Sequence, residues 1–309
     1  MRLMSLVLVL TFSFAPITVE AQQGQKVYGV GFLSSESASP SNGREPLRQE
    51  LRDLGYVDGQ NALIEARFAE YELDRLPALA AELVRLRMDV SVTFSTPAAL
   101  AAKQATQTIP IVMSSGGDPV GSGLAASLAR PGGNVTGLTH LAGPGMWVKV
   151  LESLKEIAPK ISRVGVLRNS GIPPEVRGFE LLQEPARKFG LSLFSVEFRA
   201  ADELPRAFDT MLREHVDAFV ASESPLNLYH RRAIANFAIQ QRLPTAFGHR
   251  GFVDAGGLVS YGASFANRPR QAATYVDKIL KGAKPPICPL SNPRSSTWWL
   301  TSRQRKHSA

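Results

Sequence analysis

The sequence predicts an α/β protein built from two similar, doubly wound parallel-sheet lobes that are joined by a hinge. From residue 27 onward, short apolar runs alternate with segments of helical periodicity. This alternation is typical of strand–helix–strand units on a parallel sheet. The same order of elements recurs in the second half of the chain at a nearly constant offset. A stretch rich in Gly, Pro and Thr, residues 132–145, separates the two series.

The first lobe is predicted over residues 27–138. Its expected strands are residues 27–33, 62–68, 90–94 and 109–113, with a further strand over 134–140 that leaves the lobe. Its expected helices are residues 46–54, 73–87 and 97–105. Thr96 is the expected N-cap of the last helix, because Pro97 would then occupy the first helical position.

The second lobe is predicted over residues 139–256. Its expected strands are residues 164–167, 191–198, 218–221 and 243–247, and its expected helices are 179–189, 204–214 and 226–241. Asp89 and Asp217 occupy matched positions 128 residues apart, and Pro110 and Pro244 are 134 apart. Residues 257–284 are predicted to be a crossing strand and helix. Two or three crossings between the lobes would form the hinge.

The N-terminus has the pattern of an export signal. Arg2 precedes an apolar run over residues 4–15, and Val19 and Ala21 place small side chains before a cleavage point. The run is shorter than the ~20 apolar residues that span a bilayer. We therefore predict a signal peptide over residues 1–21, cleaved after Ala21, and a periplasmic protein without a stable membrane anchor. The alternative is that the same segment stays uncleaved as an anchor.

Charge and cysteine content limit the classes of function. The chain has 35 basic and 27 acidic residues, but four of the basic residues lie in residues 285–309, where there is no acid. The remaining excess is too mild and scattered to form a nucleic-acid-binding face. Cys288 is the single cysteine, which excludes an internal disulfide and a cysteine-based metal site. The histidines show no ligand spacing, and we expect neither a metal nor a cofactor.

Polar residues at predicted strand ends of the first lobe are the first candidates for ligand binding. Ser34 and Ser35 follow the first strand, where their hydroxyls could bind a polar ligand or cap a turn. Ser95 and Thr96 open a helix whose free N–H groups would suit a carboxylate. Ser114 and Asp118 follow the fourth strand. Asp118 could pair with a ligand ammonium, or it could close an Asx-turn before Pro119.

The second lobe offers a matching set of candidates. Asn169 and Glu223 end predicted strands, and Glu223 is the second candidate partner for an ammonium group. Tyr229 and Phe247 are possible aromatic walls, although an aromatic side chain in an α/β lobe more often belongs to the core. A dinucleotide fingerprint over residues 121–126 lacks a directly preceding strand and is set aside.

Nine stretches in this order resemble the substrate-binding proteins of bacterial ABC importers, of the tryptophan or aromatic-amino-acid type. They are residues 31–34, 54–61, 74–81, 96–103, 109–112, 116–120, 128–137, 252–262 and 279–285. The resemblance implies a type I periplasmic-binding-protein fold and a small amino-acid-like ligand. It also implies delivery to a membrane permease with its ATPase.

Residues 285–309 depart from this resemblance. Relatives continue with an acidic, Leu/Val-rich segment, whereas this chain continues with Pro286, Cys288 and a basic end. Codons for this tail, read one base out of frame, can encode the segment that relatives have. We therefore predict that the resemblance stops at Pro285, that the tail is disordered or loosely packed, and that it results from a shifted reading frame. The alternative is a genuinely divergent basic tail.

The features of the sequence bear on three classes of function. A binding protein that closes its lobes on one ligand needs no chemistry, and the sequence contains no nucleophile elbow, P-loop or HExxH signature. A two-lobed α/β enzyme acting on a small polar metabolite is the alternative. A ligand-sensing transcription regulator would need a DNA-binding segment before residue 27, where the export signal lies.

Overall fold

The computed structural model describes residues 26–38, 43–139, 145–263, 267–285, 289–290 and 296–300. These residues form two β-sheets with helices on both faces of each. The predicted α/β class with two doubly wound, mainly parallel lobes is thereby confirmed. The predicted signal peptide lies outside the described residues. No described helix combines the length and apolarity that a membrane crossing would require.

The first sheet has the strand order β2-β1-β3-β4-β5, and all its strands are parallel. In chain order its elements are β1 (Tyr28–Ser34), α1 (Arg44–Asp53), β2 (Ala62–Phe68), α2 (Leu76–Arg85), β3 (Val90–Phe94), α3 (Thr96–Ala105), β4 (Ile111–Ser115) and β5 (Val135–Gly137). Buried apolar side chains form one cluster on each face. Leu47 and Leu51 of α1 belong to one cluster, and Ala98 and Ala102 of α3 to the other.

The second sheet has the order β11-β10-β9-β8-β6-β7. Its chain begins with α4 (Gly145–Ile157), β6 (Arg163–Arg168), α5 (Pro173–Lys188), β7 (Ser192–Glu197), α6 (Leu204–Arg213), β8 (Ala218–Ala221) and α7 (Pro225–Tyr229). It continues with α8 (Arg231–Gln241), β9 (Thr245–Phe247), α9 (Arg250–Asp254), β10 (Val259–Ala263), α10 (Arg268–Leu280) and β11 (Ser296–Leu300). The strands β6 to β10 are parallel, and β11 is antiparallel to β10.

The chain crosses back to the first lobe after β10. Ala272, Ala273 and Val276 of α10 join the apolar cluster that contains Leu47 and Leu51 of α1. The hydroxyl of Tyr56 also donates a hydrogen bond to Asp277 Oδ1, at 3.0 Å. Burial of this apolar face stabilises the helix on the first sheet. The helix that follows the second sheet is therefore part of the first lobe's core.

Local details differ from the expectations. The N-cap of α3 is Ser95, not Thr96, because the Ser95 hydroxyl accepts a hydrogen bond from the Ala98 amide. The helix predicted over residues 226–241 is two helices, α7 and α8, which meet at His230. Neither α4 nor α9 was expected from the periodicity of the sequence.

The tail also differs from the expectation of loose packing. Residues Ser296–Leu300 form β11, which extends the second sheet by pairing with all of β10 from Val259 to Ala263. Leu290 lies in an apolar cluster of the first lobe, and its amide donates to the Leu128 carbonyl at 2.8 Å. The prediction of a loosely packed tail is wrong for these residues, because backbone pairing with an open sheet edge needs no hydrophobic periodicity.

Candidate functional site

A cavity of about 540 Å³ lies between the two lobes. Its lining comes from the carboxyl ends of strands in both sheets and from the helices that follow them. This is the place where open parallel sheets bind ligands. The lining includes Ser95, Thr96, Ser114 and Ser115 from the first lobe, Arg168, Glu175, Ser222 and Glu223 from the second, and Arg268 from α10.

One part of the cavity is apolar and aromatic. Phe94 and Leu47 contribute from the first lobe, and Trp147, Phe179 and Leu182 from the second. These side chains come from β3, α1, α4 and α5, so both lobes are needed to complete the wall. A wall of this kind suits an apolar or aromatic group.

Another part of the cavity contains a buried charge pair, Glu223 and Arg268. Glu223 follows β8, and burial raises the pKa of its carboxyl to about 7, although the Arg268 guanidinium opposes this shift. Burial lowers the pKa of Arg268 to about 9, with Glu223 opposing. Arg268 Nη1 also donates to Ser115 Oγ at 2.8 Å. Because α10 packs on the first lobe, the pair links the two lobes across the cleft.

The buried position of Glu223 depends on a glycine. A Cβ atom added at Gly248 would collide with Glu223 Oε1. A side chain at this position, directly after β9, would push the Glu223 carboxylate away from where it lies.

Glu175 is a second buried acid next to the charge pair. Its Oε2 accepts hydrogen bonds from the Asn169 amide at 2.7 Å and from the Ser222 hydroxyl at 2.5 Å. Ser222 Oγ accepts in turn from Asn227 Nδ2 at 2.7 Å. Burial raises the pKa of Glu175 to about 7, and the hydrogen bonds oppose this shift. The network holds the ends of β6 and β8 at a defined spacing below the cavity.

The hydroxyls of the first lobe are already engaged within the protein. Thr96 Oγ1 accepts from the Gly117 amide at 2.9 Å and donates to the Gly117 carbonyl at 3.2 Å. The Ser114 hydroxyl donates to the Thr93 carbonyl at 3.0 Å. These bonds tie the loop after β4 to the ends of β3 and α3, so the hydroxyls give the first-lobe wall its shape.

The N-terminus of α3 has little capacity left for a carboxylate. The amides of Ala98 and Ala99 donate to the side chain and the carbonyl of Ser95, and Pro97 has no N–H group. Arg268, one of the arginines that line the cavity, is held at this end by its hydrogen bond to Ser115, so a carboxylate here would meet its guanidinium.

Of the ten predicted ligand-binding residues, the structure brings four to the cavity lining. These are Ser95, Thr96, Ser114 and Glu223. Ser34 and Ser35 are fully buried at the end of β1, and Ser34 Oγ accepts from the Glu36 amide at 3.0 Å. They do not line the cavity.

Four predicted residues lie elsewhere. Asp118 Oδ1 accepts from the Gly121 amide, three residues on, at 2.9 Å, so it caps the turn that follows rather than closing an Asx-turn. Asn169 Oδ1 accepts from the Gly171 amide at 2.8 Å. Phe247 is fully buried in the core and stacks on Phe252 with ring centroids 4.4 Å apart. Tyr229 is 55% exposed and packs against Tyr71 of the other lobe.

Several lining residues were missed by reasoning from the sequence. Glu36 lies two residues beyond Ser34, and burial raises the pKa of its carboxyl to about 7 while Arg231 opposes this shift. His249 follows β9, and burial lowers the pKa of its imidazole to about 4. Arg168 is the last residue of β6, and its guanidinium lies 5.1 Å from the centre of the Phe179 ring. All three lie at the end of an observed strand or within two residues of it, so a wider set of strand-end candidates would have included them. Arg268, at the start of α10, would still have been missed.

Comparison with known proteins identifies relatives. The family described as ABC transporter substrate binding protein matches residues 33–304. A curated relative, the tyrosine-binding protein of Clostridioides difficile (strain R20291), is 27% identical over 258 residues, covering 84% of this chain and 73% of the relative. The family match runs to residue 304, beyond Pro285, so the prediction that the resemblance stops there is wrong.

Solved structures give the same picture. A conserved domain protein from Vibrio cholerae O1 biovar El Tor is 27% identical, with a TM-score of 0.83 over 91% of this chain and 94% of that one. An ABC domain in complex with L-Trp from Streptococcus pneumoniae is 22% identical, with a TM-score of 0.82 over the same shares. With the cleft geometry, the family match favours a binding protein over the enzyme alternative, and the chain belongs to the ABC transporter substrate-binding proteins.

Proposed function

We propose that this substrate-binding protein closes its lobes on an amino acid with an aromatic side chain and delivers it to an ABC permease. The observation that carries the proposal is the combination of a buried Glu223–Arg268 pair and an aromatic wall within one cavity. An amino acid carries an ammonium, a carboxylate and a side chain on one carbon. The cavity offers a complementary surface to each of them.

The head group would lie at the charge pair. Glu223 would accept hydrogen bonds from the ligand ammonium, and Arg268 would donate to the ligand carboxylate. The zwitterion brings one opposite charge to each member of the pair, so the charges of ligand and protein remain balanced in the cavity. The side chain would then lie against Phe94, Trp147 and Phe179.

The relatives support an aromatic amino acid in two ways. One is named a tyrosine-binding protein, and another was solved with L-Trp. This chain also superposes better on that complex, with a TM-score of 0.82, than on a ligand-free, open substrate-binding protein from Clostridium difficile, with a TM-score of 0.64. The two structures have nearly equal identity to this chain, 22% and 23%. We take the difference to mean that the lobes of this chain are arranged as in that complex rather than as in the open structure.

The proposal includes export. Residues 1–21 would act as a signal peptide cleaved after Ala21, so that the folded lobes meet the ligand in the periplasm. The closed form would then dock on the permease, whose ATPase drives transport. N-terminal sequencing of the protein recovered from a periplasmic extract tests the cleavage site.

Thermal unfolding with a panel of ligands tests the ligand class. The purified protein is heated with each of the twenty amino acids and with several sugars. A ligand at a hundredfold excess over its dissociation constant adds ~2.7 kcal/mol to the free energy of unfolding. We expect Trp, Tyr or Phe to raise the melting temperature most. A shift with sugars alone would contradict the proposal.

The variant Glu223→Gln tests the head-group assignment by calorimetry. Loss of a charge-assisted hydrogen bond costs ~1.5–3 kcal/mol, which weakens binding about 10- to 150-fold. Glu214→Gln is the matched control, because Glu214 lies in the same lobe, pairs with Arg163 and does not line the cavity. Equal affinities for the two variants would place the ammonium partner elsewhere.

A further inference from the structure

The two lobes touch through an aromatic pair at the rim of the cleft. Tyr71 follows β2 in the first lobe, and Tyr229 ends α7 in the second. Their ring centroids are 4.4 Å apart, with an angle of 37° between the planes. Tyr71 packs against the apolar cluster of the second lobe rather than that of its own lobe. Neither ring lines the cavity, so the contact serves the lobes and not the ligand directly.

The backbone that presents Tyr71 is strained. Tyr71 has a φ of 67° and Glu70 a φ of 54°. Both values lie in the left-handed region of the backbone, which residues other than glycine rarely adopt. The described residues Arg87, His215 and Arg242 share this conformation, but they follow α2, α6 and α8, where it is common. Residues 70 and 71 follow a strand, where no helix end explains it.

Hydrogen bonds to the loop after β1 hold this strained turn in place. The Tyr71 amide donates to the Ser35 carbonyl at 2.8 Å, and the Glu70 amide donates to the Glu36 carbonyl at 3.3 Å. Strain that neighbouring structure maintains often marks a functional position. Here it aims the Tyr71 ring at the other lobe.

Charge contacts between the lobes accompany the aromatic pair. On the same side, Glu36 of the first lobe interacts electrostatically with Arg231 of α8. Beyond the cavity, Asp118 Oδ2 lies 3.9 Å from Arg177 Nε of α5. Asp118 also has a left-handed backbone, with a φ of 38°. Because β2 and β4 lie on opposite sides of the β1–β3 pair, these contacts flank the cavity on both sides.

We propose that Tyr71 and Tyr229 are positioning residues that hold the lobes closed over the ligand. The pair makes its contact only when the lobes are together, so it stabilises the closed form relative to the open one. An aromatic pair of this kind changes an equilibrium about two- to tenfold beyond its buried area. The apparent affinity for a ligand that binds the closed form changes by the same factor. This last step rests on the proposed function.

The distance between the lobes provides a test that needs no ligand. Leu63 in the first lobe and Ile239 in the second are exposed sites for paired spin labels. They are changed to Cys in a Cys288→Ser background, since Cys288 is the single native cysteine. We expect Tyr71→Ala and Tyr229→Ala each to lower the short-distance population about two- to tenfold. The double variant should be no more open than either single variant, because both remove one shared contact.

Two further variants separate closure from stability. Tyr71→Phe keeps the ring and should retain the closed population. Tyr28→Ala removes an aromatic contact with Tyr56 inside the first lobe, where the ring centroids are 5.5 Å apart. It should lower stability without changing the distance distribution. An unchanged distribution in Tyr71→Ala, or an equal change in Tyr28→Ala, would overturn the proposal.

Ligand kinetics test the link to binding. With L-Trp as the probe, Tyr71→Ala should raise the dissociation rate about two- to tenfold, and Tyr71→Phe should leave it near the wild-type value. If the wild-type protein binds no amino acid, the proposed function fails while the distance measurement still decides whether the pair closes the lobes. If the wild-type protein binds and Tyr71→Ala dissociates at the wild-type rate, the positioning role is wrong and the proposed function stands.

Discussion

The two lobes share a scaffold but differ where they face the cleft. Asp89 precedes β3, and its Oδ2 accepts from the Gly29 amide at 2.7 Å. Asp217 precedes β8 in the same way and accepts from the amides of Ser162 and Arg163 at 2.8 Å. Arg87 and His215, each two residues earlier, have φ values of 53° and 49°. The repeated sequence thus reproduces the same helix end and the same tie between strands.

At the cleft, matched positions have different chemistry. Ser95 and Glu223 lie 128 residues apart, the same offset as Asp89 and Asp217, and each comes two residues before a proline. In the first lobe Ser95 itself caps α3. In the second lobe Ser224 caps α7 by accepting from the Asn227 amide at 3.1 Å. Ser224 rather than Glu223 thus caps α7, and Glu223 lines the cleft.

The buried cation on the first-lobe side of the cleft, Arg268, comes from a segment outside the two repeated series of strands and helices. The strand ends of the first lobe contribute hydroxyls, and Arg268 comes from α10, which packs on this lobe after the chain has passed through the second. Duplication of the scaffold has therefore not duplicated the site. The two halves of the cleft are complementary because they differ.

A large loss of stability is expected from substitutions at matched core positions of the two lobes. Phe247 and Met113 lie 134 residues apart, and both are fully buried. We expect Phe247→Ala to lower the free energy of unfolding by ~3–5 kcal/mol and Met113→Ala by ~2–5 kcal/mol, since each leaves a cavity in a core. Chemical denaturation measures both, with exposed Leu181→Ala as the control. A Phe247→Ala protein that keeps its stability but loses ligand would instead make Phe247 a ligand contact.

The two capping serines provide a smaller and sharper test. Ser95 has a φ of 113°, whereas Ser224 has a φ of −61°. Replacing either by Ala removes a cap and costs ~0.5–2 kcal/mol. Gly at position 95 also releases backbone strain of ~1–3 kcal/mol, so Ser95→Gly should be clearly more stable than Ser95→Ala. At position 224 the Gly and Ala variants should differ much less. If the Gly and Ala variants differ in stability by the same amount at positions 95 and 224, the backbone of Ser95 is not strained.

A further expected effect is a dependence of stability on pH. Burial raises the pKa of Glu36, Glu175 and Glu223 to about 7 from an ordinary value of 4.5. A raised pKa means that the folded state favours the neutral carboxyl. Its contribution to stability is present below pH 4.5 and is lost as the pH rises through about 7. His249, with a pKa lowered to about 4, acts in the opposite sense: its contribution is lost as the pH falls from 6.5 through 4.

We therefore expect the ligand-free protein to lose stability between pH 5 and pH 8, since three carboxyls outweigh one imidazole. Denaturation at several pH values measures this, and Glu223→Gln should flatten the profile. Binding of an amino acid should strengthen over the same interval, because the ligand ammonium favours the charged carboxylate of Glu223. A wild-type stability that rises from pH 5 to pH 8 would contradict the burial of these acids.

The shifted reading frame of the tail stays a prediction about the gene. The structure places β11 in the tail, and the family match continues to residue 304. Sequencing the gene across the Pro285 codon tests the hypothesis. The absence, in the neighbouring frame, of a continuation resembling the acidic segment of relatives would exclude it.

The sequence by itself determined the scaffold. Alternating apolar runs and helical periodicity were sufficient for the strands, because local patterns report which face of each element is buried. The strands Ala62–Phe68, Val90–Phe94 and Ala218–Ala221 were predicted to the residue. Glu223 was also within reach, since it lies two residues beyond a strand whose carboxyl end faces the cleft.

Only the tertiary structure decided which polar groups meet. Arg268 lies 45 residues beyond Glu223 on a helix that returns to the first lobe, and no local pattern encodes that return. The structure likewise assigned Phe247 to the core and paired Tyr229 with Tyr71 across the cleft. An aromatic or hydroxyl side chain has the same sequence signature in a core, a cap or a ligand site. Its role depends on the neighbours that long-range packing brings to it.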